Sequence, residues 1–249
     1  MVVTSADAGI GDEADHEHGE HQHRDVQGGA ARAAVFGVSD GLVSNVGLIL
    51  GVAGAEVAPS IVRLAGLAGL IAGAISMAAG EYNSMKVQSE LLERELELER
   101  IEIRRHPEVE TAELAEVYES RGMDPGQARE LAETVMSDPE VALETHAREE
   151  LGVDPSQLGS PIGAATSSFA AFSVGALVPL VPWFVGSGTG ATVASLVAAV
   201  VAAVAVGGAI GRFTGRSLVR TVTRQVAFTV VPAVLTYAVG SAVGVGAVG

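Results

Sequence analysis

The chain of 249 residues contains no cysteine. That excludes disulfides and any thiolate metal site, and it says nothing about compartment. Beyond residue 154 there is no aspartate or glutamate, although 30 acidic residues precede that point. The opening stretch, "MVVTSADAGIGDEADHEHGEHQHRD", lacks both a basic region and an apolar core, so it does not read as a cleaved signal peptide. No internal repeat is visible. The net charge of −15 argues against nucleic acid as a partner, because a phosphate backbone needs basic residues to meet it.

What is present is sharply segregated. Seven acidic residues lie before residue 26 and 20 lie between residues 90 and 154, leaving only Asp40, Glu56 and Glu81 elsewhere. A soluble domain spreads charge over its whole surface, so this distribution indicates a membrane protein. Five stretches, 33–56, 61–83, 162–185, 189–211 and 226–247, reach the roughly 20 apolar residues needed to cross a bilayer. The expected fold is an all-α membrane protein with five transmembrane helices and a cytoplasmic helical domain inserted between the second and third. Residues 1–30 read as a His-rich acidic tail, 31–84 as spans one and two, 85–158 as the inserted domain and 159–249 as spans three to five.

Small residues at helical spacing, such as Gly47 with Gly51, Gly69 with Gly73 and Gly207 with Gly211, allow close helix contact in lipid. Pro179, Pro182 and Pro232 imply kinks. Basic residues set the orientation. Arg24, Arg32, Lys86 and Arg94 flank the first two spans, and Arg212, Arg216, Arg220 and Arg224 sit between spans four and five. The opposite side has only Arg63. By the positive-inside rule, the N-terminus and the insert are cytoplasmic and the C-terminus is outside.

Within the insert, "SELLERELELERIEIRRH" is rich in good helix formers, while its "ELELERIEI" run alternates like a strand. Its length and its continuity with span two favour a helix projecting from the membrane. Three further helices are expected: one from Pro107 to near Gly122, then "DPGQARELAETVMSD", then "PEVALETHAREELG" ending at Gly152.

Asp40 stands out within the apolar run "VFGVSDGLVSNVGLILGVAGA". Seven residues from the cytoplasmic entry of span one place it about 10 Å deep, at ~1.5 Å per residue. Met77 lies seven residues before the exit of span two, at the same depth, and Glu81 is one turn below it, so Asp40, Met77 and Glu81 are expected to line one transport path between the two helices. Ser39, Ser44, Asn45 and Ser76 offer further oxygen atoms nearby. An ionisable residue inside a span normally faces the protein interior or a water-filled path. The bland reading makes "SDGL" an interfacial turn and Met77 ordinary packing.

In the insert, Glu99 with Glu102, and Glu110 with Glu113 and Glu116, are spaced i, i+3; His146 and Glu150 are spaced i, i+4. Like charges at this spacing repel, and a hard divalent cation reverses that cost. A merely solvated acidic face fits the spacing equally well. In the tail, His16, His18, His21 and His23 among Glu and Asp read either as a weak metal collector or as a solubilising segment. No nucleophile constellation is evident, so no enzymatic activity is expected.

The segments "FGVSDGLVSNVGLILGVAGA", "GLIAGAISMAAGEYNSMKVQSE" and "HAREELG" followed by "GSPIGAATSSFAAFSVGALVPLVP" resemble the vacuolar iron transporter family, in its bacterial branch. The resemblance covers about residues 30 to 248 and preserves segment order. It implies a homodimer of five-span subunits that exports cytoplasmic Fe²⁺ in exchange for protons, with an inserted metal-binding domain. It places Asp40 and Met77 in the path, with Glu99, Glu102, Glu110, Glu113 and Glu150 as metal ligands. The sequence departs from characterised eukaryotic members at two places. His146 and Ala147 stand where they carry methionines, and Gly69 stands where their second span has a glutamate. Imidazole suits iron, manganese and zinc alike, so Mn²⁺ and Zn²⁺ join Fe²⁺ as expected ions. No other cofactor is expected. Protons and the lipid bilayer complete the expected partners, in a bacterial plasma membrane. The rival readings are a membrane-anchored metal-binding or sensing protein without transport, and a structural protein whose acidic domain docks basic partners.

Overall fold

The computed structural model describes residues 29–150, 152–154 and 159–247. The histidine-rich tail, with His16, His18, His21 and His23, lies outside the described residues. Every regular element among the described residues is helical: α1 (Gly29–Gly54), α2 (Pro59–Arg105), α3 (Pro107–Ser120), α4 (Pro125–Met136), α5 (Pro139–Glu149), α6 (Pro161–Leu180), α7 (Pro182–Val185), α8 (Gly188–Thr214) and α9 (Leu218–Ala247). Five of them, α1, α2, α6, α8 and α9, are long and apolar enough to cross a membrane. Only 17% of the most apolar stretch of α2, and 11% of that of α9, is buried inside the chain. Apolar helices left this bare in water would be unstable, and lipid is the solvent that suits them.

The central helix is α1, which packs against α2, α6, α8 and α9. Its Leu42, Val46 and Ile49 are fully buried in a cluster with Leu180, Trp183, Ala199, Ala203 and Ala233. Glycine permits the tightest of these contacts. A Cβ on Gly41 would fall 2.2 Å from the Phe172 carbonyl oxygen, and one on Gly175 would fall 2.2 Å from that of Val38. The backbones of α1 and α6 therefore touch directly, which fixes the rotation of α1 about its axis. Adjacent helical residues point roughly 100° apart, so anchoring Gly41 on α6 turns Asp40 toward α2 and α9.

Two boundaries differ from the sequence expectation. The third apolar stretch is divided, with α6 ending at Leu180 and a single turn, α7, restarting at Pro182. Proline lacks the N–H that would continue the ladder. The Ser195 hydroxyl of α8 instead donates to the Pro179 carbonyl, 2.7 Å away. The last helix begins at Leu218 rather than 226, so Arg220 and Arg224 lie on α9 and Arg212 on α8. The α8–α9 approach accounts for this. A Cβ on Gly207 would sit 2.8 Å from Val222 Cα, so α9 is already packed on α8 at that level.

The 47 residues of α2 extend about 70 Å, far more than a ~30 Å hydrocarbon layer. Its far end carries "ELELERIEI" as helix, not strand. There Ile103 packs with Ala142 and Leu143 of α5, while Leu114 and Ala115 of α3 pack with Ala128 and Ala132 of α4. Proline opens α3, α4 and α5. The Asp124 carboxylate accepts from the Gly126 N–H, and that of Asp138 from Glu140 and Val141, capping the last two.

Candidate functional site

Among the described residues, two places gather the polar groups of interest. The first lies between α1, α2 and α6, where a cavity of about 220 Å³ is lined by Asp40, Ser44 and Asn45 on one side and Ser76 and Met77 on the other. Asp40 and Met77, expected at one depth from residue counts, thus face one space. Gly69 and Gly73 of α2 leave room for it. Phe172 of α6 forms part of its wall, its ring packed so closely on Gly73 that an added Cβ would come within 2.2 Å. The Ser44 hydroxyl donates to the Asp40 carbonyl at 2.6 Å, so its oxygen lone pairs remain available. Asp40 also borders a wider, apolar groove of about 570 Å³ between α1 and α9, with Phe36, Phe228 and Pro232. A carboxylate, hydroxyls and a thioether converging on a small cavity can hold a partly dehydrated cation.

Glu81, one turn from Met77, is not among the residues that line the cavity. Its carboxylate is buried and accepts from the Arg32 guanidinium at 2.9 Å. The counting that paired Asp40 with Met77 also puts Arg32 at the start of α1 near the level of Glu81, so this ion pair was legible but not drawn. Phe172 carried no signal, because an aromatic in an apolar helix reads as ordinary packing.

The second place is where the far end of α2 meets α3 and α5. His146 is fully buried, and its Nδ1 lies 3.0 Å from Glu150, 3.1 Å from Glu99 and 3.7 Å from Glu110. Ligand atoms of Glu99, Glu110 and His146 lie within 4.8 Å of one another, as do those of Glu110, Glu113 and Glu150. Glu110 therefore belongs to both groups. His146 Nε2 and Glu99 Oε1 are buried without a hydrogen-bond partner. Burial, followed by the negative charges of Glu99, Glu113 and Glu150, pushes the Glu110 carboxyl up to about 7. Four carboxylates and one imidazole, held this close, suit a divalent cation with mixed oxygen and nitrogen ligands.

Of the sequence candidates, Glu99, Glu110, Glu113, His146 and Glu150 come together. Glu102 and Glu116 do not. Glu102 turns toward His106, 3.8 Å away, and Glu116 is exposed on α3. Glu99 and Glu102 share one face of α2, so the split follows from where α5 meets that face, with His146 at Glu99.

Residues 31–241 match the VIT family. The chain is 33% identical over 184 residues to "Vacuolar iron transporter 1" of Oryza sativa subsp. japonica, covering 73% of each. It is 35% identical over 178 residues to "Vacuolar iron transporter 1" of Eucalyptus grandis, covering 70% of this chain and 72% of that one. It is 38% identical over 162 residues to "Vacuolar iron transporter" of Acanthamoeba castellanii, covering 64% of this chain but only 58% of that longer relative. The matched region contains the Asp40–Met77 cavity, the inserted helices and all five apolar helices, and the chain belongs to the VIT family.

Proposed function

We propose that this protein is a divalent metal transporter that carries Fe²⁺, and also Mn²⁺, out of the cytoplasm in exchange for protons. The observation that carries this reading is the cavity that Asp40 and Met77 share inside a bundle of membrane-length helices. Relatives named vacuolar iron transporters support iron as the cargo. The buried Glu99–Glu110–His146 group supports a role for α3–α5 in gathering metal before it enters the bundle.

The insert and the N-terminus face the cytoplasm in this reading, and basic residues near the ends of α1, α2, α8 and α9 support that orientation. Metal collected at the insert moves to the cavity, where the Asp40 carboxylate holds either a proton or a cation. Competition for the same oxygens couples the two flows, and no bond to carbon is made or broken. The apolar groove beside Asp40, between α1 and α9, favours a homodimer in which a second copy closes the path against lipid.

Reconstitution of the full chain into liposomes holding a metal-sensitive dye tests the proposal. Metal entry that accelerates when a proton gradient is imposed supports proton-coupled transport. Metal binding to the protein without any flux would leave a binding or sensing protein and overturn the transport reading.

A further inference from the structure

Asn45 is 2% exposed and sits five residues beyond Asp40 on α1. Its Nδ2 donates to the Ala176 carbonyl at 2.6 Å. That bond fixes which end of the amide is nitrogen, because the reverse orientation would set two oxygens against each other. The other end, Oδ1, is buried and has no hydrogen-bond partner. It points at Gly69, which lines the Asp40 cavity together with Asn45, and a Cβ added there would lie 2.8 Å away. A buried amide oxygen without a partner is costly, so a group that completes it is favoured.

We propose that Asn45 Oδ1 is a cation ligand in this cavity, and that it sets preference for oxygen-seeking ions. The inference rests on the transport reading above. The cavity offers one charged oxygen from Asp40 and one soft donor from Met77. A neutral amide oxygen held rigidly by α6 adds a hard ligand without adding a charge that would retain the ion. Mn²⁺ and Fe²⁺ accept such oxygen readily, whereas Cd²⁺ favours thioether. Gly69 leaves no side chain between the oxygen and α2, since any side chain there would lie on it.

Three variants of the full chain in dye-loaded liposomes test this, with Mn²⁺ and Cd²⁺ as probes. Asn45→Leu removes the oxygen, and Gly69→Ala covers it while leaving the bond to Ala176 intact. Both should raise the KM for Mn²⁺ by about tenfold. Asn45→Met replaces oxygen with sulfur and should shift the ratio of Cd²⁺ to Mn²⁺ flux upward by about tenfold. Misfolding cannot produce that reversal. Wild-type flux with an unchanged KM in Gly69→Ala and an unchanged ion ratio in Asn45→Met would overturn the inference and leave transport standing. Absence of flux in the wild type would overturn both.

Discussion

Replacing Glu110 by Gln should stabilise the metal-free insert and weaken its hold on metal at the same time. The carboxyl of Glu110 is 6% exposed and is raised from 4.5 to about 7 by burial and by its acidic neighbours. A group whose pKa is raised on folding binds more protons in the folded state. Its contribution is fully present below pH 4.5 and is lost as pH rises through about 7. Above that pH the ionised form works against folding, by on the order of 3 kcal/mol at ~1.4 kcal/mol per pH unit. Glutamine keeps the shape and removes the charge. Hydrogen–deuterium exchange on the full chain without metal should therefore show slower opening of α3 and α5 in Glu110→Gln than in wild type at pH 8. The difference should vanish near pH 5. Saturating Mn²⁺ should reverse the order, because wild type regains a ligand that both metal groups share, and Mn²⁺ affinity of the variant should fall by at least about tenfold. Faster opening of metal-free Glu110→Gln at pH 8 would refute the reasoning. It would mean that Glu110 serves chiefly as a structural partner to its neighbours in the cluster.

Further expectations follow from the same geometry. Glu102→Gln and Glu116→Gln should leave Mn²⁺ affinity of the full chain within about twofold of wild type by calorimetry, since neither belongs to the two close groups of ligand atoms. A drop like that of Glu110→Gln would show the cluster to be larger than its geometry. His146→Ala should weaken Zn²⁺ binding more than Mn²⁺ binding, because imidazole suits Zn²⁺ while carboxylates suit Mn²⁺; equal losses would make His146 a packing residue. Gly41→Ala should lower the thermal midpoint in detergent by an amount equivalent to about 1–3 kcal/mol, since its Cβ would meet α6 backbone 2.2 Å away. An unchanged midpoint would mean that α1 and α6 can part freely.

Much of the fold was legible because lipid imposes a coarse rule: long apolar runs without charge become helices. The strand-like alternation of "ELELERIEI" gave way to helix, since α2 runs on without a break and α5 covers only one side of its end. The ends of runs were less legible. Residues 218–225 read as loop because of Arg220 and Arg224, yet packing of Val222 against Gly207 draws them into α9. At the site, depth counting brought Asp40 and Met77 to one cavity, because rise per residue is fixed in a helix. It could not give rotation about the axis. For α1 that rotation depends on Gly41 meeting α6, and the pairing of Glu81 with Arg32 is likewise set by packing. In the insert, i, i+3 spacing named Glu99 and Glu102 alike. Only the position of α5 decides that Glu99 meets His146 and Glu102 does not.

The central claim is that Asp40 exchanges a proton for a metal ion inside the bundle. Its most direct measurement is Fe²⁺ and Mn²⁺ flux into dye-loaded liposomes carrying wild type or Asp40→Asn, with and without an imposed proton gradient. The account predicts gradient-driven metal entry with wild type and none with Asp40→Asn, while both proteins bind Mn²⁺ equally at the intact insert. Gradient-driven flux that survives in Asp40→Asn would contradict it.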